Sequence, residues 1–147
     1  MNRKVEERLY AETDGSCALC GVRDARVLTV HHIEHERLER DDSYDNLIVI
    51  CHNCHTSYHQ GKGAKISDIK TIKKRLIQKT LTQFGVNALK VAKRSSLVSG
   101  APYILNHLVE MGYLEFHELL MGTDDRPDIA EYRATEKGLT LLKKWRF

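Results

Sequence analysis

Four cysteines occur as two Cys-x-x-Cys pairs, Cys17/Cys20 and Cys51/Cys54. Thiolates at this spacing reach one metal from a tight turn of the chain, and two such turns complete a closed tetrahedral site. A closed site leaves no position for water, so the spacing predicts a structural Zn²⁺ bound by all four cysteines. The alternative, four unrelated buried cysteines, is disfavoured by the pairing.

Histidines lie between and beside these pairs, and a closed zinc site leaves catalysis to them. His55 and His59 stand four residues apart, so both point to one face if the chain after Cys54 turns helical. His31 would complete a three-imidazole cluster with open positions for a second metal. On a strand, His32 points away from His31, which leaves it available as a base.

The remaining histidines have plainer interpretations. His35 and His52 are predicted to be solvated loop residues, and His107 and His117 lie outside the cluster as ordinary surface or core histidines. For His59, capping the helix remains an alternative to binding the metal. The predicted site therefore consists of His31, His32 and His55, with His59 as a further candidate ligand.

The histidines should be positioned by short strand-like runs at 26–30 and 47–50. Three helices are predicted to follow. The first helix, from about residue 67, has an inward apolar set and an outward basic set. The apolar set is Ile69, Ile72, Leu76, Ile77 and Leu81, and the basic set is Lys70, Lys73 and Lys74. A second helix fits 87–94, with Lys90, Lys93 and Arg94 outward, and a third begins near Ser99 and ends at Gly112. On the third helix, Ile104 is assigned to the inward face, and Tyr103, Asn106 and His107 to the outward face.

Charge is divided unevenly along the chain. Residues 1–65 carry 9 Lys/Arg against 11 Asp/Glu, a net charge of −2, whereas residues 66–147 carry 14 against 9, a net charge of +5. A separate basic region of this kind is expected of an arm that binds phosphate. We therefore predict two small domains, residues 1–65 and 66–147.

No apolar run approaches membrane-spanning length, and the sequence begins with charged residues rather than an apolar signal segment. The four cysteines are accounted for by the zinc site. These features predict an intracellular, cytoplasmic protein with reduced thiols and no membrane partner.

Three segments in order, Val30-His-His-Ile33, Asp45-Asn-Leu47 and Cys51-His-Asn-Cys-His55, resemble the HNH endonucleases over roughly residues 10–65. That resemblance implies a ββα-metal fold and hydrolysis of DNA phosphodiester bonds. By position, it makes His31 and His55 ligands of a catalytic divalent metal, Mg²⁺, Mn²⁺, Ni²⁺ or Zn²⁺, with His59 as a further ligand in some members. It also makes His32 the general base and Asn46 the residue that orients it. The loop from Glu34 to Ser43 departs from the family pattern.

A second resemblance covers the rest of the chain. The helices at 86–94 and 99–108, followed by a hairpin and Tyr132-Arg-Ala-Thr-Glu-Lys-Gly138, look like a winged helix-turn-helix domain. It implies that Tyr103, Asn106 and His107 lie near DNA bases, that Lys90, Lys93 and Arg94 contact phosphates, and that the hairpin tip around Arg126 is the wing.

Together these features predict an α+β metalloprotein that cuts or nicks double-stranded DNA, with a zinc-stapled nuclease domain and a winged-helix targeting domain. Two alternatives stay open. One is a non-catalytic, zinc-containing DNA-binding regulator. The other is a nuclease whose winged helix binds a protein partner or a second copy of the chain. A role in restriction, in a mobile element or phage, or in repair is not determined by the sequence.

Overall fold

The computed structural model describes residues 2–35 and 40–147 and has a mixed α+β architecture, as predicted. The chain divides into two compact units, Met1–Thr80 and Leu81–Phe147. Residues 66–80 thus group with the first unit, although the sequence assigned them to the second domain.

The first unit is built around a two-stranded antiparallel sheet of β1 (Leu28–His32) and β2 (Leu47–Cys51). Strand β2 is buried at every residue, because all five of its side chains are apolar or, at its end, a thiol. In the pairing of β1 with β2, His31 lies opposite Ile48 and His32 opposite Leu47. Its elements are α1 (Arg3–Glu12), β1 (Leu28–His32), a 3₁₀ turn (Tyr44–Asn46), β2 (Leu47–Cys51), α2 (His52–His59) and the start of α3 (Ile66–Ser95).

Helix α2 follows β2 without a linker. The side chain of Cys51 accepts a hydrogen bond from the backbone N–H of Cys54 and so caps the helix. The order β1, β2, α2 is the ββα arrangement that the sequence predicted. It places Cys51 at the end of β2 and Cys54, His55 and His59 on α2.

The prediction that Lys73 lies on the outer, basic side of its helix was wrong. Lys73 is 0% exposed, and its Nζ donates to the buried carboxylate of Glu12 at 2.6 Å. It also lies 3.8 Å from the centre of the Tyr44 ring, whose hydroxyl donates to the same carboxylate. A buried lysine requires such a partner, and the ion pair fixes the start of α3 against α1.

Helix α3 is interrupted at Thr82, whose backbone has φ 62° and ψ 167°. Threonine rarely adopts a positive φ, so this residue marks a defined break between two helical segments. In the second segment, Val86, Leu89 and Ala92 are buried, as their spacing predicted.

The second unit contains a three-stranded antiparallel sheet of β3 (Leu97–Gly100), β4 (Leu114–Gly122) and β5 (Pro127–Ala134), in the order β3-β5-β4. The prediction that a helix begins near Ser99 was wrong, because residues 97–100 pair with β5 as a strand and the helix begins at Pro102. Ile104, assigned to the inward face, is 37% exposed. The elements are β3 (Leu97–Gly100), α4 (Pro102–Glu110), β4 (Leu114–Gly122), β5 (Pro127–Ala134) and α5 (Glu136–Trp145).

The phrase Thr135-Glu-Lys-Gly138 has a structural role in this unit. Thr135 caps α5 by accepting a hydrogen bond from the backbone N–H of Gly138, and its own hydroxyl donates to the carbonyl of Gly112 at 2.6 Å. A Cβ on Gly138 would lie 2.3 Å from the carbonyl oxygen of Tyr113. Only glycine therefore allows α5 to approach the start of β4 this closely.

None of the helices in residues 2–35 and 40–147 combines the length and the apolar character needed to cross a membrane.

Candidate metal centre

The four cysteines converge on one point of the first unit. Cys17 and Cys20 lie on a turn closed by a hydrogen bond from the Gly21 N–H to the Cys17 carbonyl, and Ala18 donates to Val49 of β2. This pairing brings the turn against Cys51 and Cys54, so that all four sulfur atoms lie within 4.8 Å of one another. Sulfurs bound to one tetrahedral Zn²⁺ are about 3.8 Å apart, and the Sγ atoms of Cys20 and Cys51 are separated by 3.7 Å. The donor set therefore fits a structural zinc.

Thiol acidity also fits a cation at this point. Burial raises the pKa of the Cys17 thiol, but the backbone N–H groups of Cys20, Cys51 and Leu19 outweigh it and lower the value to about 7. Burial and neighbouring thiols raise the pKa of Cys54. Four adjacent thiolates repel one another, so a bound cation is needed to keep all four deprotonated.

Three histidines predicted to form a second cluster do come together. His31 projects from β1, while His55 and His59 project from one face of α2. The ring of His31 lies 5.0 Å from that of His55 and 5.5 Å from that of His59, measured between centroids. The Nε2 atoms of His55 and His59 are 3.3 Å apart, close to the separation of about 3.4 Å expected for two imidazoles on one tetrahedral metal.

His35 joins this cluster, although the sequence predicted only that it is a solvated loop residue. It is exposed, yet its ring lies 5.5 Å from His31, and the ligand nitrogens of His31, His35 and His59 all lie within 4.8 Å of one another. The spacing of four residues between His31 and His35 gave no signal, because it indicates a shared face only within a helix and this segment follows a strand.

The state of His31 tests whether a metal fits. It is 2% exposed, and its Nε2 has no hydrogen-bond partner among the residues that the structure describes. Burial, together with the neighbouring histidines, lowers its pKa to about 4. A buried, neutral imidazole with an unmatched nitrogen aimed at other imidazoles is the donor that a divalent transition metal requires.

His32 faces a different environment from His31. Its Nε2 lies 2.7 Å from Oδ1 of Asp42, and the Nε of Arg40 lies 3.1 Å from the same oxygen and 3.2 Å from His32 Nε2. Nε2 cannot donate to Asp42 and accept from Arg40 at once. A carboxylate is the stronger acceptor, so we assign both N–H groups to Asp42, which leaves Nδ1 of His32 as the acceptor nitrogen.

Asn46 is 1% exposed and ties together the two ends of the loop between β1 and β2. Its Oδ1 accepts from the backbone N–H of Glu34, and its Nδ2 donates to the carbonyls of Glu34 and Asp41. These bonds are made to backbone atoms. Asn46 thus fixes the residue before His35 and the residue before Asp42.

A shallow cavity of about 320 Å³ lies at this loop and is lined by His32, Glu34, His35, Arg40 and Asp41. A larger cavity, of about 590 Å³, lies beside the cysteine site and contains none of the predicted catalytic side chains. His32 lines the smaller cavity and is reached from it.

Comparison with known families addresses the same region. Residues 17–61 match the family model for HNH endonuclease. That match and the four-cysteine cluster fit the zinc-containing HNH type. The matched segment, here called the HNH region, contains both clusters, His32 and Asn46. No curated protein matches the chain at a significant level.

Outside the HNH region, the residues predicted to contact DNA occupy two helices of the second unit. Lys93 and Arg94 are exposed near the end of α3, and Lys90 is half-buried. On α4, Tyr103 is 83% exposed and Asn106 is exposed. His107 is half-buried, and its Nε2 lies 3.1 Å from the carbonyl oxygen of Leu81, so its side chain is engaged within the unit.

Proposed function

We propose that the protein is a metal-dependent endonuclease that hydrolyses DNA phosphodiester bonds at the HNH region. The observation that carries the proposal is the buried Nε2 of His31, which has no partner among the described residues and meets the imidazoles of α2 beside a histidine–carboxylate pair. At the level of the family, the match over residues 17–61 supports a nuclease-type function.

His31 and His55, with His59, would hold the divalent metal. When bound, such a metal supplies Lewis-acid stabilisation of the charge that develops on the phosphate. His31 contributes a donor that is already neutral, because its lowered pKa keeps it unprotonated at physiological pH. His55, whose pKa is also lowered by burial, contributes another.

His32 would act as the general base. Its Nδ1 takes a proton from the attacking water, while the Nε2 proton stays directed at Asp42. The carboxylate holds the ring and its tautomer and stabilises the imidazolium that forms. Asn46 acts indirectly, because its hydrogen bond to the Asp41 carbonyl holds the backbone beside Asp42.

The second unit would supply the grip on double-stranded DNA in the manner of a winged helix. Its support is the exposure of Lys93, Arg94, Tyr103 and Asn106 on two helices that precede an antiparallel hairpin. Recruitment by a protein partner is the alternative, and the exposed apolar side chains of Phe116, Leu120 and Met121 on β4 favour it.

Incubation with supercoiled plasmid tests the nuclease. Purified protein is combined separately with Mg²⁺, Mn²⁺, Ni²⁺ and Zn²⁺, and nicked or linear product is measured on a gel. We expect product with at least one metal and none after removal of the metal. Intact plasmid under all four conditions, with folded and zinc-loaded protein, would instead favour the non-catalytic DNA-binding regulator.

A further inference from the structure

His35 lies outside the positions that the HNH resemblance assigns to the metal, yet it occupies the same cluster. Its ring centroid is 5.5 Å from that of His31 and 6.1 Å from that of His59. One ligand nitrogen from each of these three residues lies within 4.8 Å of the others. The ring of His35 is exposed, so it can rotate toward a common ion without disturbing buried packing.

We propose that His35 is a fourth imidazole ligand at the metal held by His31, His55 and His59, and that this set selects a nitrogen-preferring metal such as Ni²⁺, Co²⁺ or Zn²⁺ over Mg²⁺. The inference rests on the metal-binding role proposed above, but it does not depend on cleavage.

The donor atoms carry the selection. Imidazole suits Zn²⁺, Cu²⁺ and Ni²⁺, whereas Mg²⁺ prefers carboxylate oxygens and water. Among the residues that the structure describes, the cluster around His31 contains imidazoles and no carboxylate. Two acids of the described part of this loop are engaged elsewhere, since Glu34 is 2.5 Å from Nζ of Lys70 and Asp42 is 2.7 Å from His32.

The loop backbone supports the placement of His35. Both the N–H and the carbonyl of the preceding residue, Glu34, are hydrogen-bonded to the buried amide of Asn46. Ile33 is fixed in turn, because its N–H donates to the Asn46 carbonyl at 2.8 Å. The backbone leading into His35 is therefore anchored on the side of β1, which lowers the entropy lost when its ring binds.

Calorimetric titration of the full chain with Ni²⁺ tests the ligand set, with zinc retained in the cysteine site. We expect His35→Ala to weaken the strongest Ni²⁺ binding event by about tenfold or more, since even the loss of a group that merely orients a ligand costs about 10–100-fold. The visible spectrum of bound Co²⁺ should change as well, because one nitrogen donor is lost. Mg²⁺ at a large excess should leave Ni²⁺ bound.

Two histidine variants serve as controls. His52→Ala removes an exposed histidine that precedes His55 on α2, and His117→Ala removes the exposed histidine of a cluster with Glu118 and Glu131 in the second unit. Both should leave the strongest Ni²⁺ event unchanged. If His117→Ala removes that event, the metal is held by the second unit and the proposal fails.

Unchanged Ni²⁺ affinity and an unchanged Co²⁺ spectrum in His35→Ala would overturn the ligand assignment, and Mg²⁺ binding as tight as that of Ni²⁺ would overturn the selection. Should His35→Ala lose zinc or helix content, His35→Gln, which keeps a polar side chain, is measured in its place and judged by the same criteria. The plasmid assay is a separate result. Cleavage by the parent protein alongside unaltered metal binding by His35→Ala defeats only the role of His35, whereas Ni²⁺ binding through His35 without cleavage under any condition defeats only the nuclease.

Discussion

The two units use their polar side chains in opposite ways. In the first unit, the groups proposed to do chemistry converge, and several of them, such as His31, Asn46 and Cys17, are buried. In the second unit, the residues proposed to meet DNA, such as Arg94 and Tyr103, are exposed on helices. Withdrawal from water changes the protonation and bonding of each side chain, so single substitutions in the first unit should have large effects. Exposed charges act through a screened field, so their effects should be smaller and should depend on salt.

The largest effect is expected from the cysteines. Cys17→Ser or Cys51→Ser removes a zinc ligand, and structural Zn²⁺ contributes on the order of 10–16 kcal/mol to the folding of small domains. We expect the first unit to unfold or the protein to become insoluble, as followed by circular dichroism and bound-zinc analysis. His55→Ala should keep both zinc and helix content while it weakens the second metal. Serine variants that stay folded and active would contradict the assignment of a structural zinc.

A smaller but still large effect is expected from the proposed base. His32→Ala should lower the cleavage rate by roughly 10²–10⁴-fold, the usual contribution of general-base catalysis. Zinc content, folding and DNA affinity should stay near those of the parent, because the ring contacts the loop and not the cysteine site. Cleavage at the parental rate would contradict the assignment of His32 as the base.

The buried state of His31 predicts a pH effect on stability. Its pKa is about 4 in the folded protein against an ordinary value of 6.5, so the unfolded chain takes up a proton before the folded one does. The free energy of unfolding should therefore be highest above pH 6.5, fall as the pH drops toward 4, and change no further below that through this group. The full loss is about 3 kcal/mol.

Urea unfolding from pH 7.5 to 4.5 measures this effect in protein without the second metal. His31→Asn is the comparison, because it retains the cysteine site and lacks the imidazole. The parent should lose more stability over this range than the variant. If the free energy of unfolding changes with pH in the same way in parent and variant, His31 is protonated as readily in the folded protein as in the unfolded chain.

The smallest effects are expected in the second unit. Replacement of Lys90, Lys93 and Arg94 by alanine should weaken binding to all duplex sequences alike. It should also flatten the slope of log affinity against log salt by up to about 2.7, or about 0.9 for each lost phosphate contact. Fluorescence anisotropy at salt concentrations from about 50 to about 200 mM would measure this slope.

Asn106→Ala is the matched substitution on α4. Loss of an exposed amide near base edges should change which sequences are preferred and should leave the salt slope unchanged. Competition with a randomised duplex pool separates the two outcomes. A triple variant with the parental affinity and slope would favour the protein-recruitment alternative for this unit.

Local spacing was sufficient to predict much of the first unit. The two Cys-x-x-Cys pairs and the histidines four apart on α2 each act within a single turn of chain, so the sequence determines their geometry directly. The second strand followed from an apolar run that ends at the second cysteine pair, and the ββα order was implied by the resemblance to HNH endonucleases. Likewise, the inward residues of the second helical segment followed from their period.

Only the tertiary structure decided the features that depend on contacts between distant residues. Lys73 fits either side of an amphipathic helix until Glu12, 61 residues away, supplies its buried partner. His35 lies beside His31 and His59, and Asp42 beside His32, through contacts that local spacing does not reveal. Residues 97–100 are a strand because β5 offers them backbone partners that a local pattern cannot reveal. The sequence by itself determined which donor side chains are available, and the tertiary fold determined which of them lie together.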